Sequence, residues 1–332
     1  MNSVEIQRSA EAMVRDAMGV GAGERTLIVT DVMQPQSIAQ ALMAASISVG
    51  ARAATLILPV ATNAGEEPPE PAAQAIREAD VIFLYTAPFI DSSPAVKVAR
   101  DRGARVAFMV VCNPSKLPTR YPQYIEAAFV RATGIDAKDM AERTHRISDL
   151  VENAKEARLF TEVGTDLTMR LGYKVTRLDG LGTAKGAMPQ LPGGVFAVLP
   201  HGDTANGTVV IDVSTPIGPI HTPIVLSIEG GFVTKIDGGI EATRLRNFLA
   251  SFRDRGVYRV SDWGIGTHPR AVECGNYREE TRVMGWAHMG IGDDVRFDGG
   301  KTKAPSHLDV VFRDASLELD GKLVVDRKKL VL

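Results

Sequence analysis

Four short apolar runs, at 26–30, 53–58, 81–85 and 105–110, recur about every 25 residues, with helical periodicity near 36–49, 70–79 and 94–102 between them. That alternation constrains the fold more than any other feature. Strands joined through a helix pair in parallel, because a hairpin turn cannot make a parallel crossover and a helix can. The runs lack polar alternation, which suits a sheet covered on both faces. A Rossmann-like α/β domain with a parallel sheet is therefore expected over residues 1–156, its last part, 121–157, reading as helix. Past 156 the pattern changes. Strands shorten, glycine and proline become frequent, and runs at 208–213, 223–228, 232–237 and 322–325 read as antiparallel strands. Glu229-Gly230-Gly231 and Leu319-Asp320-Gly321 supply hairpin turns, and one helix near 241–254 interrupts the strands. A mostly antiparallel, barrel-like β domain is expected over 157–332. A chain of 332 residues is long enough for two hydrophobic cores.

The glycines of Gly19-Val20-Gly21-Ala22-Gly23 do not make a dinucleotide-binding loop. That fingerprint comes after the first strand and opens a helix. These glycines precede the strand, and the strand runs on into Asp31-Val32-Met33-Gln34-Pro35, which has no glycine. A net charge of −2 gives no electrostatic footprint for nucleic acid or an anionic membrane. No apolar run approaches the roughly 18 residues that span a bilayer. The N-terminal stretch is amphipathic and lacks the apolar core of a secretory signal. Cys112 and Cys274 form no C-x-x-C pair, and a reducing cytoplasm is the expected setting.

The chemistry concentrates near the C-terminus, in Ser306-His307-Leu308-Asp309-Val310-Val311-Phe312. Residues i and i+2 of a strand share a face, so His307 and Asp309 address one point in space. An imidazole nitrogen with a carboxylate oxygen is two thirds of a facial triad for a divalent metal. Two histidines are candidates for the third position. His268 lies in Gly264-Ile265-Gly266-Thr267-His268-Pro269, where glycines allow close backbone approach. His288 lies between Gly285 and Gly290-Ile291-Gly292, and a hydrogen-bonded core histidine is its competing role. Asp262 is a ligand, an outer carboxylate orienting an imidazole, or a charge at a strand end. His145, among Glu142, Arg143 and Arg146, sits on a solvated helix face, and His221, in a proline-flanked turn, reads as structural.

In order along the chain, Gly164-Thr165-Asp166-Leu167-Thr168, Leu191-Pro192-Gly193-Gly194, Asn206-Gly207-Thr208, the segment from Asp262 to Thr267, His288 with Gly292, and His307-Leu308-Asp309 resemble the M29 metallo-aminopeptidase superfamily. The resemblance covers most of the C-terminal half. The aminopeptidases of that group use two metals. Their first glutamate ligand falls at Val195, their second at Asp262, and a tyrosine at Val295. Valine cannot ligate, so the carboxylates that bridge a two-metal site are missing.

The same superfamily contains the 2,5-dihydroxypyridine 5,6-dioxygenases, in which one non-haem Fe(II) sits on two histidines and an aspartate. One of those histidines comes directly after a Gly-Ile-Gly-Thr motif, as His268 does here. The resemblance implies a mononuclear Fe(II) on His268, His307 and Asp309. It implies an extradiol-type dioxygenase that uses O₂ to open a hydroxylated N-heteroaromatic ring, and a closed homo-oligomer. His288, His201 (in Leu199-Pro200-His201-Gly202-Asp203) and Asp262 are the implied residues for proton transfer. Two further histidines of the dioxygenases are unmatched, with Asp91-Ser92-Ser93 and Met188-Pro189-Gln190 in their places. Phe196 and Trp263 offer an apolar wall for a flat substrate, or core packing. The alternative is an M29-type metallo-hydrolase with Zn(II) or Co(II) on His288, His307, Asp309 and Asp262. A fold kept without any metal is the third reading.

Overall fold

A computed structural model describes residues 2–110 and 122–331, so Cys112 lies outside the described residues. By packing, the chain falls into two units, Met1–Ala141 with Asp179–Gly193, and Glu142–Leu178 with Gly194–Leu332. The first division lies earlier than the change in sequence pattern. The reason is the helix Ala137–Asn153, whose later residues Ile147, Leu150 and Val151 pack with the antiparallel core. Residues 179–193 return to the first unit because Gln190–Leu191 pairs in its sheet.

The first unit is a five-stranded parallel sheet. Its order is Arg52–Leu58, Arg25–Asp31, Val81–Tyr85, Arg105–Met109 and the two-residue Gln190–Leu191. Alternate residues feed two separate cores. Ile28, Phe83 and Ala107 pack with the helices Ser3–Ala12 and Gln36–Ser48. Leu27, Val29, Ile82 and Val106 pack with Glu70–Glu78 and Pro94–Asp101. Both faces are buried, as the uninterrupted apolar runs require. Where a phosphate loop would come after the first strand, the buried Asp31 carboxylate accepts hydrogen bonds from the Ala87 N–H at 2.6 Å and the Met33 N–H at 2.8 Å. An anion fixed at that point repels a phosphate.

The second unit holds two large antiparallel sheets over one core, and a two-stranded one that pairs Thr176–Leu178 with Val195–Ala197. The larger has eight strands, in the order Phe232–Asp237, Ile224–Glu229, Asn206–Ile211, Asp166–Arg170, Glu156–Phe160, Ser316–Leu319, Lys322–Asp326 and Lys329–Leu330. The smaller runs Gly218–Pro219, Ser214–Thr215, His307–Phe312, Ala287–Gly292 and Val260–Ile265. The helix Ile240–Ser251 buries Leu245 and Leu249 in the shared core. Trp263 and Phe196, 5.8 Å apart edge to face, also lie in it, so core packing is the job they hold. No helix among the described residues is long and apolar enough to cross a membrane.

Candidate metal centre

The site is built on three adjacent strands of the smaller sheet, from His307–Phe312 out to the edge strand Val260–Ile265. Leu308, Val310 and Phe312 on one strand, Met289 and Ile291 on the next, and Trp263 and Ile265 on the third all turn into the core. Side chains alternate along a strand, so the residues between these must project from the other face. The register places Gly292 opposite His307, Gly290 opposite Asp309, and Gly264 opposite His288. A register irregularity between Val260 and Trp263 lies where Asp262 leaves the strand. Bulges of this kind re-aim side chains beside sites.

Glycine is required at two of these positions for space. A Cβ on Gly290 would sit 2.3 Å from Asp262 Oδ1 and 2.9 Å from His307 Cε1. One on Gly264 would sit 2.7 Å from His288 Cε1 and would also strike the Phe196 carbonyl. Two missing side chains thus make the hollow in which four functional groups meet. His288 Nε2 is 3.3 Å from Asp262 Oδ2, and His307 Nε2 is 3.2 Å from Asp309 Oδ1 and 3.5 Å from Asp262 Oδ1. Ligand atoms of Asp262, His288 and Asp309 all lie within 4.8 Å of one another. Asp262 and His288 are buried, whereas the His307 and Asp309 side chains keep 15% and 20% exposure, which leaves an open side.

His307 shows what the hollow is for. Its Nδ1 lies 2.7 Å from the backbone carbonyl of Asp293. A carbonyl only accepts, so Nδ1 carries the proton and donates. In the neutral ring Nε2 is then a bare lone pair facing two carboxylates. That arrangement needs a cation. A second proton satisfies it: burial pulls the His307 imidazole down, but the hydrogen bond and charge of Asp309 and the charge of Asp262 outweigh this and push it above its ordinary value. A metal ion satisfies it equally by replacing that proton, and the Asp293 carbonyl then orients the ligating ring. His288 adds a second sign, since its buried Nδ1 has no hydrogen-bond partner among the described residues.

The carboxylates tell the same story. Burial pushes Asp309 up, but the hydrogen bond and charge of His307 and the charges of His288 and Arg296 pull it well below the carboxylate range. Burial likewise opposes ionisation of Asp262. The hydrogen bond with His288 and the charge of His307 win, against the repulsion of Asp309, and hold it low. Two ionised carboxylates are therefore kept side by side. The spacing also fits one ion. Ligands about 2.1 Å from a first-row metal stand roughly 3.0 Å apart on an octahedral edge and 3.4 Å on a tetrahedral one. The observed separations of 3.2 and 3.3 Å fall in that interval, and the third, 3.5 Å, lies just beyond it. Two imidazoles and two carboxylates suit iron, manganese, cobalt or zinc in the divalent state.

Two residues expected at the site from the sequence are placed elsewhere. His268 is not in the group. Its Nδ1 accepts from the Arg270 N–H at 3.2 Å and the Ala271 N–H at 3.1 Å. An acceptor Nδ1 puts the neutral ring's proton on Nε2, the opposite tautomer from the one a ligating Nε2 needs. His201 is exposed and stacks on Tyr173 at 4.9 Å between ring centroids. Asp262 and His288, expected to transfer protons, lie in the group that could hold a metal ion. Val195, at the position of the absent first glutamate, is buried in the core. Sequence reasoning missed Gly290 and Gly264 as spacers, the Asp293 carbonyl as the orienting group, and Arg296 as a nearby charge. The alternation His288-x-Gly290-x-Gly292 beside His307-x-Asp309 was the available signal for the first.

With this geometry in hand, likeness to known proteins is informative. Residues 12–332 match the family described as NicX: 2,5-dihydroxypyridine 5,6-dioxygenase. A curated relative, the 2,5-dihydroxypyridine 5,6-dioxygenase of Pseudomonas putida, is 31% identical over 224 residues. That match spans 63% of this chain and 64% of the relative. Among solved structures, the 2,5-dihydroxypyridine dioxygenase of Pseudomonas putida KT2440 superposes with a TM-score of 0.79 at 23% identity, covering 100% of this chain and 98% of that one. Wild-type AmpT of Thermus thermophilus superposes with a TM-score of 0.69 at 16% identity, covering 99% of each chain. Both share this fold.

Proposed function

The chain belongs to the 2,5-dihydroxypyridine 5,6-dioxygenase family, and from that premise we propose that it is a mononuclear non-haem Fe(II) dioxygenase that opens a hydroxylated N-heteroaromatic ring with O₂. The observation that carries the reading is the convergence of His307 Nε2 on Asp309 and Asp262 while its Nδ1 is tied to the Asp293 carbonyl. His288, His307, Asp309 and Asp262 are the residues that would hold the iron. Bound there, Fe(II) supplies an electron path between ring and O₂ and lowers the pKa of a coordinated hydroxyl.

The chain's own groups do the rest. His307 is held in one tautomer and one orientation. The paired carboxylates set a negative field that favours a cation and, once the cation is in place, leave an oxygen of Asp262 to accept the proton of the substrate hydroxyl. The partly exposed side, at His307 and Asp309, is where a substrate enters.

Protein reconstituted with Fe(II) without oxygen should consume O₂ when given 2,5-dihydroxypyridine. His307→Ala, Asp309→Ala and His288→Ala should each lose iron, whereas His268→Ala should keep it. Full iron occupancy in the first three, or iron loss confined to His268→Ala, would sink the ligand assignment. A second reading is favoured by one observation. The group that assembles, Asp262 with His288, His307 and Asp309, is the set expected of a hydrolase of the M29 type. Turnover of aminoacyl substrates without oxygen, with Zn(II) or Co(II) bound, would establish it in place of the oxygenase.

A further inference from the structure

The strand that supplies Asp262 leads, beyond its end, to a second hollow in the same unit. Ile265 and Gly266 border a cavity of about 160 Å³ there, and Met284 and Leu330 form its accessible apolar floor. Four cations ring it: Arg143, Arg146, Arg327 and Lys328. No carboxylate among the described residues lines it. Arg327 shares exposed ion pairs with Glu162 and Asp326, and Lys328 lies 3.7 Å from Asp314. Arg143 and Arg146, three positions apart on the helix Ala137–Asn153, make no hydrogen bond or ion pair with the described residues. Residues at that spacing lie on one helix face, so both guanidiniums point the same way.

Arg327 is placed at some cost. The turn between Lys322–Asp326 and Lys329–Leu330 puts Arg327 at φ 55°. That left-handed conformation ordinarily selects glycine, asparagine or aspartate. The turn also needs Gly285 beneath it, because a Cβ there would sit 2.4 Å from the Arg327 carbonyl oxygen. An arginine kept in a strained turn, over a glycine that lets it approach, beside two guanidiniums without partners among the described residues, is an arrangement that a bound anion stabilises.

We infer that this cavity is a binding site, separate from the metal centre, for a small carboxylate with an apolar body, its carboxylate between the arginines and its body on the Met284 and Leu330 floor. Guanidinium is suited to this because its planar fork matches two carboxylate oxygens. The floor distinguishes such a ligand from inorganic phosphate, which gains nothing from apolar contact.

Benzoate is the probe, titrated calorimetrically into the iron-loaded protein, with benzamide as its neutral isostere. Benzoate should bind, benzamide about tenfold or more weaker, and Arg143→Ala/Arg146→Ala should weaken benzoate by at least about tenfold. Both arginines are exposed, so the variant should fold, and its O₂ consumption should equal that of the wild type. Inorganic phosphate should not displace benzoate at equal concentration. Benzoate affinity unchanged in the double variant would place it elsewhere, the metal included, and would overturn the assignment. So would equal binding of benzamide, displacement by phosphate, or no benzoate binding at millimolar concentration.

Discussion

Gly290→Ala tests the centre most directly, because one methyl group is enough to disturb it. The added Cβ would lie 2.3 Å from Asp262 Oδ1, 2.9 Å from His307 Cε1 and 3.2 Å from Asp262 Cγ. Ordinary contact begins near 3.4 Å, so the Asp262 oxygen must retreat by about 1 Å. It has little freedom to do so. Asp262 is 2% exposed, and its carboxylate is held by His288 at 3.3 Å and by Ser261 Oγ at 3.2 Å. Overpacking of this kind costs about 1–3 kcal/mol. For a unit of this size that is a fall of about 2–12 °C in the unfolding midpoint. Moving Asp262 also breaks the 3.5 Å edge to His307. Loss of one orienting partner weakens metal binding about 10–100-fold. Ile291→Val is the control on the same strand. Ile291 faces the core, so its loss should cost about 0.5–1.5 kcal/mol and leave metal affinity alone. Competition with a chelator measures affinity, and calorimetry measures stability. If Gly290→Ala bound metal as tightly as the wild type, the hollow would not be the metal site.

The pH dependence of metal-stripped protein comes from the same groups. His307 is raised in the fold, so its stabilising contribution is full below the ordinary imidazole value of 6.5 and is lost as pH rises through the raised value. Asp309 and Asp262 are lowered, so theirs is full above the ordinary carboxylate value of 3.8 and is lost as pH falls towards the depressed values. Denaturation midpoints should therefore fall above pH 6.5 in stripped protein and rise over that range in metal-loaded protein, because metal replaces the proton; a parallel fall in both forms would contradict the site. Trp263→Phe should lower stability by about 1–3 kcal/mol, since the ring lies in the core and its N–H has no partner there, while the KM for an aromatic substrate stays unchanged; a KM shift with stability intact would make Trp263 a substrate wall. Asp31→Asn weakens the acceptor of two backbone N–H groups and should cost about 1–3 kcal/mol by denaturant titration, with metal affinity unaffected.

What the sequence disclosed depended on whether a feature was local. The parallel sheet was legible because each strand carries its own apolar run and each helix its own period, which holds for Val81–Tyr85 as much as for Pro94–Asp101. Gln190–Leu191 was not, since two residues have no period and their pairing with Phe108 and Met109 is a contact across some eighty positions. The same distinction runs through the centre. His307 and Asp309 share a face by their spacing alone. Which histidine joins them is a question of register, and register is fixed by what the other face must bury. Leu308 and Val310 are core residues, and so are Met289, Ile291, Trp263 and Ile265. Once those six face inward, Asp262, His288, Gly290 and Gly292 have no choice but to face out, on the side of His307 and Asp309. Asp262 and His288 were therefore implied by the apolar alternation of three strands read together, although not by any one. His268 lies beyond the last alternating residue, in a turn where its ring caps the N–H groups of Arg270 and Ala271. No periodicity reaches that turn, so the alternation of the strands does not fix where its ring points. The hydrophobic pattern of the inner face, more than the glycines around each histidine, decides which side chains gather at the candidate metal centre.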